Sequence, residues 1–277
     1  MRTTPAERLI SRLTITALTL VVVGPIAWAL VTSLKTEANV ITFPPSLLPS
    51  PATLASYVAV FREQNFSVEL FNSDLYAIAS IALTLAVSVP AGYAASRMTF
   101  PAKRAVMLLI LATSMIPGVA LLTPTYFVLD AIGCLNNPVA IIVLQAARLV
   151  PQTIWFMQNF VNAVPVGLDE ATQVDGATRW QTFTRLILPL IKPGIAAAAV
   201  LGVITTWNDY ITVAAFAPNL SRRTLQVALV NQVFDTIGIT WSYVMAFAIV
   251  SSIPIVALFL VAQRWFIAGL TAGAVKG

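Results

Sequence analysis

Two charged side chains, Arg148 and Asp209, stand well inside long apolar stretches of the sequence. On insertion scales a charge at the centre of a bilayer costs about 2.5–3.5 kcal/mol, so each of these side chains needs a partner or water. For Arg148 we expect pairing within the fold, or extension toward the membrane surface, rather than contact with a solute.

Asp209 belongs to a short polar run with aromatic neighbours, from Thr205 to Tyr210. One interpretation is that Asn208, Asp209 and Tyr210 line a polar translocation path, because hydroxylated solutes need donors, acceptors and aromatic surfaces. The other is that Asp209 lies near the outer interface and fixes the end of a helix, with its aromatic neighbours in the interfacial belt. The sequence leaves both open, because nothing in it sets the depth of the residue.

The side chains that usually carry out catalysis are scarce. The sequence has no histidine, a single cysteine, Cys134, and no G-x-x-x-x-G-K-[ST] motif. It therefore lacks the commonest general base and metal ligand, and it has no P-loop with which to hydrolyse ATP. Asp209 alone cannot form the carboxylate pair that acid–base catalysis at membrane depth would need. We expect no catalytic residue, no bound cofactor and no metal, which argues against an intramembrane enzyme.

The composition indicates an all-α integral membrane protein. The 277 residues are 58% hydrophobic and 10% charged, with a mean hydropathy of +0.85, which is far from the composition of soluble domains. Runs long enough to cross ~30 Å of hydrocarbon predict six transmembrane helices in a single domain, 1–277. The predicted spans are residues 13–34, 75–96, 105–129, 138–160, 194–217 and 243–267.

Three of these spans have further features. The first resembles a signal peptide at Ala27-Trp28-Ala29, but it is longer than a signal core of about 7–15 residues, and we favour a retained helix. The third contains Pro117-Gly118 and Pro124, and we expect it to be kinked or broken. The small residues 196–199 and Gly202 predict close approach of the fifth span to another helix, within the chain or at a subunit seam.

The basic residues sort by membrane side. The N-terminus, residues 97–104, residues 161–193 and the C-terminal end carry eleven Lys and Arg, whereas the loops 35–74, 130–137 and 218–242 carry four. Lysine and arginine accumulate in cytoplasmic loops, so both termini and the 161–193 loop are predicted to be cytoplasmic. Because the basic residues sort by membrane side, the net charge of +5 need not indicate a nucleic-acid partner.

The 161–193 loop is the most polar connection in the second half of the chain. A first helix is predicted at Gly167–Val174, with Gly176 supplying the left-handed residue that ends it. A second helix begins at Thr178, where Gln181 completes a capping box. Helical spacing predicts an apolar and a polar face for this helix, made of Trp180, Phe183 and Ile187 and of Arg179, Thr182 and Arg185. Such a hairpin either lies on the membrane surface or fits a groove in a soluble partner.

The loop resembles the EAA loop of ABC importer permeases, a pattern of Glu-Ala-Ala, three residues, Gly, nine residues and Ile-x-Leu-Pro. Here the pattern reads Glu170-Ala171-Thr172, Gly176 and Leu186-Ile187-Leu188-Pro189. Thr172 and Leu186 depart from it, and both are mild changes of side chain. Two longer stretches of sequence are similar to the carbohydrate-importer branch of these permeases, the maltose-transporter type. They are LDEATQVDGATRWQTFTRLILPL and the C-terminal GLTAGAVKG.

The resemblance implies a multi-pass permease subunit in the cell (cytoplasmic) membrane that forms one half of a heterodimeric pore. It also implies a second permease, two ATP-binding cassette subunits that bind ATP and Mg, and an extracytoplasmic binding protein that delivers a sugar or related polyol. The implied coupling-loop residues of this sequence are Leu168, Asp169, Glu170, Ala171, Asp175, Gly176, Leu188 and Pro189. The alternative is an ATP-independent secondary carrier or channel, although no inverted repeat with paired broken helices stands out.

Overall fold

The computed structural model describes residues 5–234 and 240–274, with side chains for 9–234 and 240–263. Regular structure in these ranges is helical, without strands, as the composition predicts. Outside this description lie Asp235, the C-terminal residues 275–277 and the side chains of the C-terminal sequence GLTAGAVKG. The helices are α1 (Pro5–Ser33), α2 (Ala55–Arg62), α3 (Phe66–Arg97), α4 (Lys103–Thr113), α5 (Leu122–Ala131), α6 (Pro138–Asn162), α7 (Val166–Val174), α8 (Arg179–Thr182), α9 (Leu188–Leu190), α10 (Lys192–Trp207), α11 (Tyr210–Phe216), α12 (Leu225–Phe234) and α13 (Trp241–Ala274).

Four helices are long and apolar enough to cross a membrane in the described part of the chain. They are α3, α6, the Leu9–Ser33 part of α1 and the Trp241–Gln263 part of α13. Two further candidates are bent pairs, Lys103–Thr113 with Gly118–Ala131 at 85° and Arg179–Leu190 with Lys192–Trp207 at 70°. Four to six membrane helices therefore agree with the predicted all-α membrane architecture.

The third predicted span is broken at its prolines. Helix α4 ends at Thr113, and a 3₁₀ turn at Gly118–Leu121 leads into α5. Pro117 precedes that turn with an extended backbone, and a proline disfavours helical conformation in the residue before it. The break therefore falls where proline chemistry predicts it.

The fifth predicted span is also broken, at the Asp209 that one interpretation of the sequence placed at a helix end. Helix α10 ends at Trp207 and α11 begins at Tyr210. Asp209 has a non-helical backbone between them, and its carboxylate accepts a hydrogen bond from the backbone N–H of Thr212 at 3.2 Å. An Asp at a helix N-cap satisfies a donor that would otherwise lack a partner. The available sequence signal for this break was the pair Asn208-Asp209, because no Pro or Gly stands between Trp207 and Tyr210.

The sequence predicted a loop at 218–242, but the structure places α12 in it. By its contacts the chain divides into two compact units, one containing residues 1–66 and 229–253 and the other containing residues 67–228 and 254–277. In the first unit the Glu37 carboxylate accepts hydrogen bonds from the backbone N–H groups of Trp241 and Ser242, at 3.0 and 3.1 Å. These bonds cap the beginning of α13.

Helix packing in the second unit depends on small residues. A Cβ added at Gly202 of α10 would lie 2.2 Å from Cδ1 of Ile81 in α3. A Cβ added at Gly92 of α3 would lie 2.7 Å from Cβ of Met157 and 2.9 Å from the backbone nitrogen of Gln158, both in α6. The contact at Gly202 is therefore within the chain, and the three helices approach as closely as small residues allow.

A buried cluster joins these helices to the segment after α8. It comprises Val89, Tyr93, Met157, Val161, Phe183, Ile187, Ile191 and Ala198, all at most 6% exposed. Phe183 and Ile187 bound the π-helical segment Phe183–Ile187 that follows α8. Since they pack against α3 and α6, the 161–193 loop is attached to the membrane helices through this cluster.

Candidate functional site

The N-terminal end of α7 is held by a buried ion pair. Asp169 Oδ2 lies 2.6 Å from Nε of Arg97, the last residue of α3, and the two side chains are 6% and 11% exposed. The pair is a close charge contact, although its angles do not form a hydrogen bond. Arg97 also donates to the Val164 carbonyl at 2.6 Å. Arg97 thus fixes both the chain entering α7 and its first turn, which no sequence pattern predicted.

The turn after α7 has the conformation that its sequence predicts. Gly176 has a φ of +82°, the left-handed region that glycine enters without penalty. The N–H of Ala177 donates to the Thr172 carbonyl at 3.0 Å, closing the end of α7. Thr178 and Gln181 then form the predicted capping box, with bonds of 3.2 and 2.8 Å. Two local signals therefore determine how the hairpin turns.

The faces of the second loop helix differ from the prediction in two residues. Thr182, expected on the polar face, is 1% exposed, because its hydroxyl lies 2.9 Å from that of Thr172 where α7 packs on this side. Trp180, expected on the buried face, is 68% exposed, although its ring centroid lies 5.4 Å from that of Phe183. Hydrophobic periodicity could not reveal that α7 covers the polar flank.

Several large apolar side chains of the loop are exposed. Val166, Leu168, Val174 and Trp180 are 54%, 42%, 87% and 68% exposed. Of the residues expected in the coupling loop, Asp169 is buried, Leu188 is partly buried, and the exposed ones are Leu168, Glu170, Ala171, Asp175, Gly176 and Pro189. The exposed apolar side chains stand among polar neighbours and are available for contact with a partner.

Arg148 pairs within the fold, as the sequence favoured. Its guanidinium lies 3.3 Å from Oδ2 of Asp209, whose side chain is 3% exposed, while the Arg148 side chain is 46% exposed. The same carboxylate oxygen accepts from Nε2 of Gln145 at 3.2 Å, and Oε1 of Gln145 accepts from Ser80 at 3.0 Å. A buried polar chain from α3 through α6 to the start of α11 therefore holds the carboxylate in place.

A cavity of about 750 Å³ lies beside this chain, bordered by the ends of α4 and α10, by α6 and by α11. Arg148, Gln152 and Thr205 contribute polar groups to its wall. The lining does not include the residues predicted for a translocation path, Asn208, Asp209 and Tyr210. The side chain of Asn208 donates to the Ile204 carbonyl, and Tyr210 packs in an apolar cluster. Their role in a translocation path stays a prediction. Gln152, which sequence reasoning missed, follows Arg148 by one helical turn, and that spacing was the available signal.

Residues 88–271 match the model of the family described as binding-protein-dependent transport system inner membrane component. This chain belongs to that family. It is a membrane subunit of the ABC permease type found in sugar transport systems, and a multi-pass membrane protein.

Curated relatives of this permease cover nearly its whole length. The sulfoquinovosyl glycerol transport system permease of Agrobacterium fabrum is 33% identical over 91% of this chain and 88% of its own length. The trehalose transport system permease of Mycobacterium tuberculosis is 33% identical over 91% and 92%. The trehalose/maltose transport system permease of Thermococcus litoralis is 31% identical over 91% of each.

Solved structures share the fold of the permease. A chain of a bacterial ABC transporter that imports the acidic polysaccharide alginate matches with a TM-score of 0.82, covering 96% of this chain and 99% of that one at 23% identity. A chain of the MetNI methionine ABC transporter in an inward-facing conformation matches with a TM-score of 0.59 over 73% and 94% of the two chains, at 20% identity.

Proposed function

We propose that this permease is one of two different membrane subunits of an ATP-driven importer for a carbohydrate, a sugar or related polyol derivative. An extracytoplasmic binding protein delivers the solute, and two cytoplasmic ATPase subunits bind and hydrolyse ATP with Mg. Both termini and the 161–193 loop face the cytoplasm, since the Lys and Arg distribution favours that orientation. The solute class is supported by relatives named for sulfoquinovosyl glycerol, trehalose and maltose.

The observation that carries the proposal is the hairpin from α7 to α8. It presents exposed apolar side chains, Leu168, Val174 and Trp180, on an element whose base is fixed by the Arg97–Asp169 pair. Exposed apolar side chains on a short helical hairpin can insert into a groove of a partner. Here the groove belongs to the ATPase, and Glu170 and Asp175 lie exposed beside the apolar contact.

The implied mechanism is alternating access. When the ATPase subunits close on ATP they move the hairpin, and the buried cluster of Phe183 and Ile187 with Tyr93 transmits this movement to α3 and α6. A packed core transmits displacement because it deforms little. The membrane path, to which we assign Asn208, Asp209 and Tyr210, opens toward the loaded binding protein, and hydrolysis resets it.

The first experiment identifies the partners. The chain is tagged in its native host, extracted in mild detergent and purified, and the co-purifying proteins are identified by mass spectrometry. We expect a P-loop ATPase, a second permease and a solute-binding protein. Recovery of this chain alone as a stable homo-oligomer with ATP-independent flux would instead support the secondary carrier or channel.

Gly176→Val tests the hairpin directly. A β-branched residue is strained at a φ of +82°, by about 1–3 kcal/mol, so we expect loss of ATPase co-purification or of uptake. Gly24→Val is the matched control, because a Cβ at Gly24 meets nothing within 4 Å and its φ is not positive. Normal assembly and uptake in Gly176→Val would contradict the coupling assignment.

A further inference from the structure

The cavity presents hydrogen-bonding groups that the rest of the described chain leaves available. The Arg148–Asp209 contact involves one terminal nitrogen of the guanidinium, which has five N–H donors in all. Gln152 lies one turn further along α6, is exposed, and makes no side-chain hydrogen bond among the described residues. Residues four apart on a helix share a face, so an arginine fork and an amide stand together on one wall.

Three hydroxyl groups from other elements of the cavity lining are available as acceptors. Thr113, Ser114 and Thr205 line the cavity, and each donates its own hydrogen to a helix carbonyl at 2.6–2.8 Å. Each oxygen keeps acceptor capacity. The cavity therefore combines donors on α6 with acceptors on α4 and α10, the pattern that a solute with several hydroxyls can satisfy, because a hydroxyl both donates and accepts.

The positive charge in the cavity wall is balanced by a negative charge behind it. Arg148 is the one charged residue among those described as lining the cavity, and the buried carboxylate of Asp209 lies directly behind it. Gln145 and the Thr212 N–H bind that carboxylate from the protein side. The Asp209 carboxylate cancels most of the attraction of the guanidinium for an anionic solute, whereas an uncharged hydroxyl can accept from the free N–H groups without repulsion from that carboxylate.

We propose that Arg148 and Gln152 form a binding subsite for an uncharged, polyhydroxylated solute, and that Asp209 sets this preference by neutralising Arg148. The volume of about 750 Å³ falls within the ~300–1,000 Å³ of small-molecule sites. The apolar lining, which includes Met115, Ile116 and Leu144, suits the apolar faces of sugar rings. This subsite rests on the proposed transport function.

Protection of an engineered cysteine tests the subsite in the purified complex. Cys134, the single cysteine, is replaced by Ser, and Ala147→Cys places a reporter in the cavity wall beside Arg148. Its rate of N-ethylmaleimide labelling is measured with cellobiose, trehalose or maltose, and with cellobiouronic acid, which differs from cellobiose by one carboxylate. Leu220→Cys, outside the cavity lining, is the labelling control.

We expect at least one neutral disaccharide to slow labelling of the reporter several-fold, and the acidic one to do so about tenfold less effectively at equal concentration. Asp209→Asn keeps one acceptor oxygen, enough for the Thr212 N–H, but loses the second oxygen and the charge that faces Arg148. Arg148 is then uncompensated, so the preference should reverse toward cellobiouronic acid. Should Asp209→Asn not assemble, Arg148→Gln serves instead, with protection by the neutral sugar falling several-fold and no reversal.

Equal protection by neutral and acidic sugars would overturn the role of Asp209. Absence of protection by any of the four sugars would overturn the subsite. Either result leaves the transport function standing if the ATPase co-purifies and Gly176→Val abolishes uptake. Failure of the proposed transport function would give a different result, because the chain would then purify without an ATPase.

Discussion

The buried pair between Arg97 and Asp169 permits a quantitative test of how the hairpin is held. At 2.6 Å the charges attract by about 6 kcal/mol with an effective dielectric constant of ~20, and much of this offsets the cost of removing them from water. Removing one partner of a buried pair typically costs about 3–5 kcal/mol, because the other charge is left without compensation. Asp169→Asn keeps the shape of the side chain and removes the charge.

At about 3 kcal/mol, the population in which α7 has separated from the end of α3 should rise over a hundredfold. Arg97 retains its bond to the Val164 carbonyl, so we expect local release rather than unfolding. Hydrogen exchange at the amides of Val166–Val174, measured in the purified complex, should accelerate accordingly. The ratio of solute transported to ATP hydrolysed should fall, because a released hairpin transmits movement poorly.

Asp175→Asn is the matched control, since Asp175 is an exposed carboxylate in the same loop with no ion pair among the described residues. Exchange in Asp169→Asn no faster than in Asp175→Asn would refute the reasoning. The double variant Arg97→Asp with Asp169→Arg provides a further check, because restoring an opposite-charge pair should recover part of the protection.

Two further predictions concern stability in detergent. Gly92→Ala should lower the free energy of unfolding by about 1–3 kcal/mol. The new Cβ would lie 2.9 Å from the backbone of α6, and no side-chain rotation can relieve that clash. Gly118→Ala is the control, because its Cβ meets nothing within 4 Å, and it should have little effect on the thermal midpoint. Thr178→Ala removes the side chain that accepts from the Gln181 N–H and should lower the stability of the start of α8 by about 1 kcal/mol. The measurement is hydrogen exchange at the start of α8, which should become faster. An unchanged exchange rate would mean that tertiary packing alone fixes this end of the helix.

Local chemistry is what the sequence predicted best. Gly176 and the Thr178–Gln181 box act over four residues or fewer, and each has one favoured geometry, so the hairpin could be predicted before any packing was known. Pro117 acts in the same way on the third span. Such signals depend only on neighbouring residues, and the structure has each of them where it was expected.

Contacts between distant segments could not be predicted. The partner of Asp169 is Arg97, which sequence analysis counted only toward the charge of a cytoplasmic loop. Thr182 is buried because α7 folds over it, and no periodicity in its own helix carries that information. Asp209 was recognised as exceptional, but its role at the start of α11 depends on where α10 ends.

The two helix breaks have a consequence for hydration. The ends of α4 and α10 both border the cavity. The last carbonyls of a helix have no partner within the helix, but those of α4 accept from the hydroxyls of Thr113 and Ser114 and from the N–H groups of the residues that follow. Interrupted backbone at membrane depth is tolerated only within protein or against water, never against lipid tails. The break after α4 therefore needs no water to complete its backbone hydrogen bonds, and the contents of the cavity beside it can change without leaving those carbonyl groups unpaired.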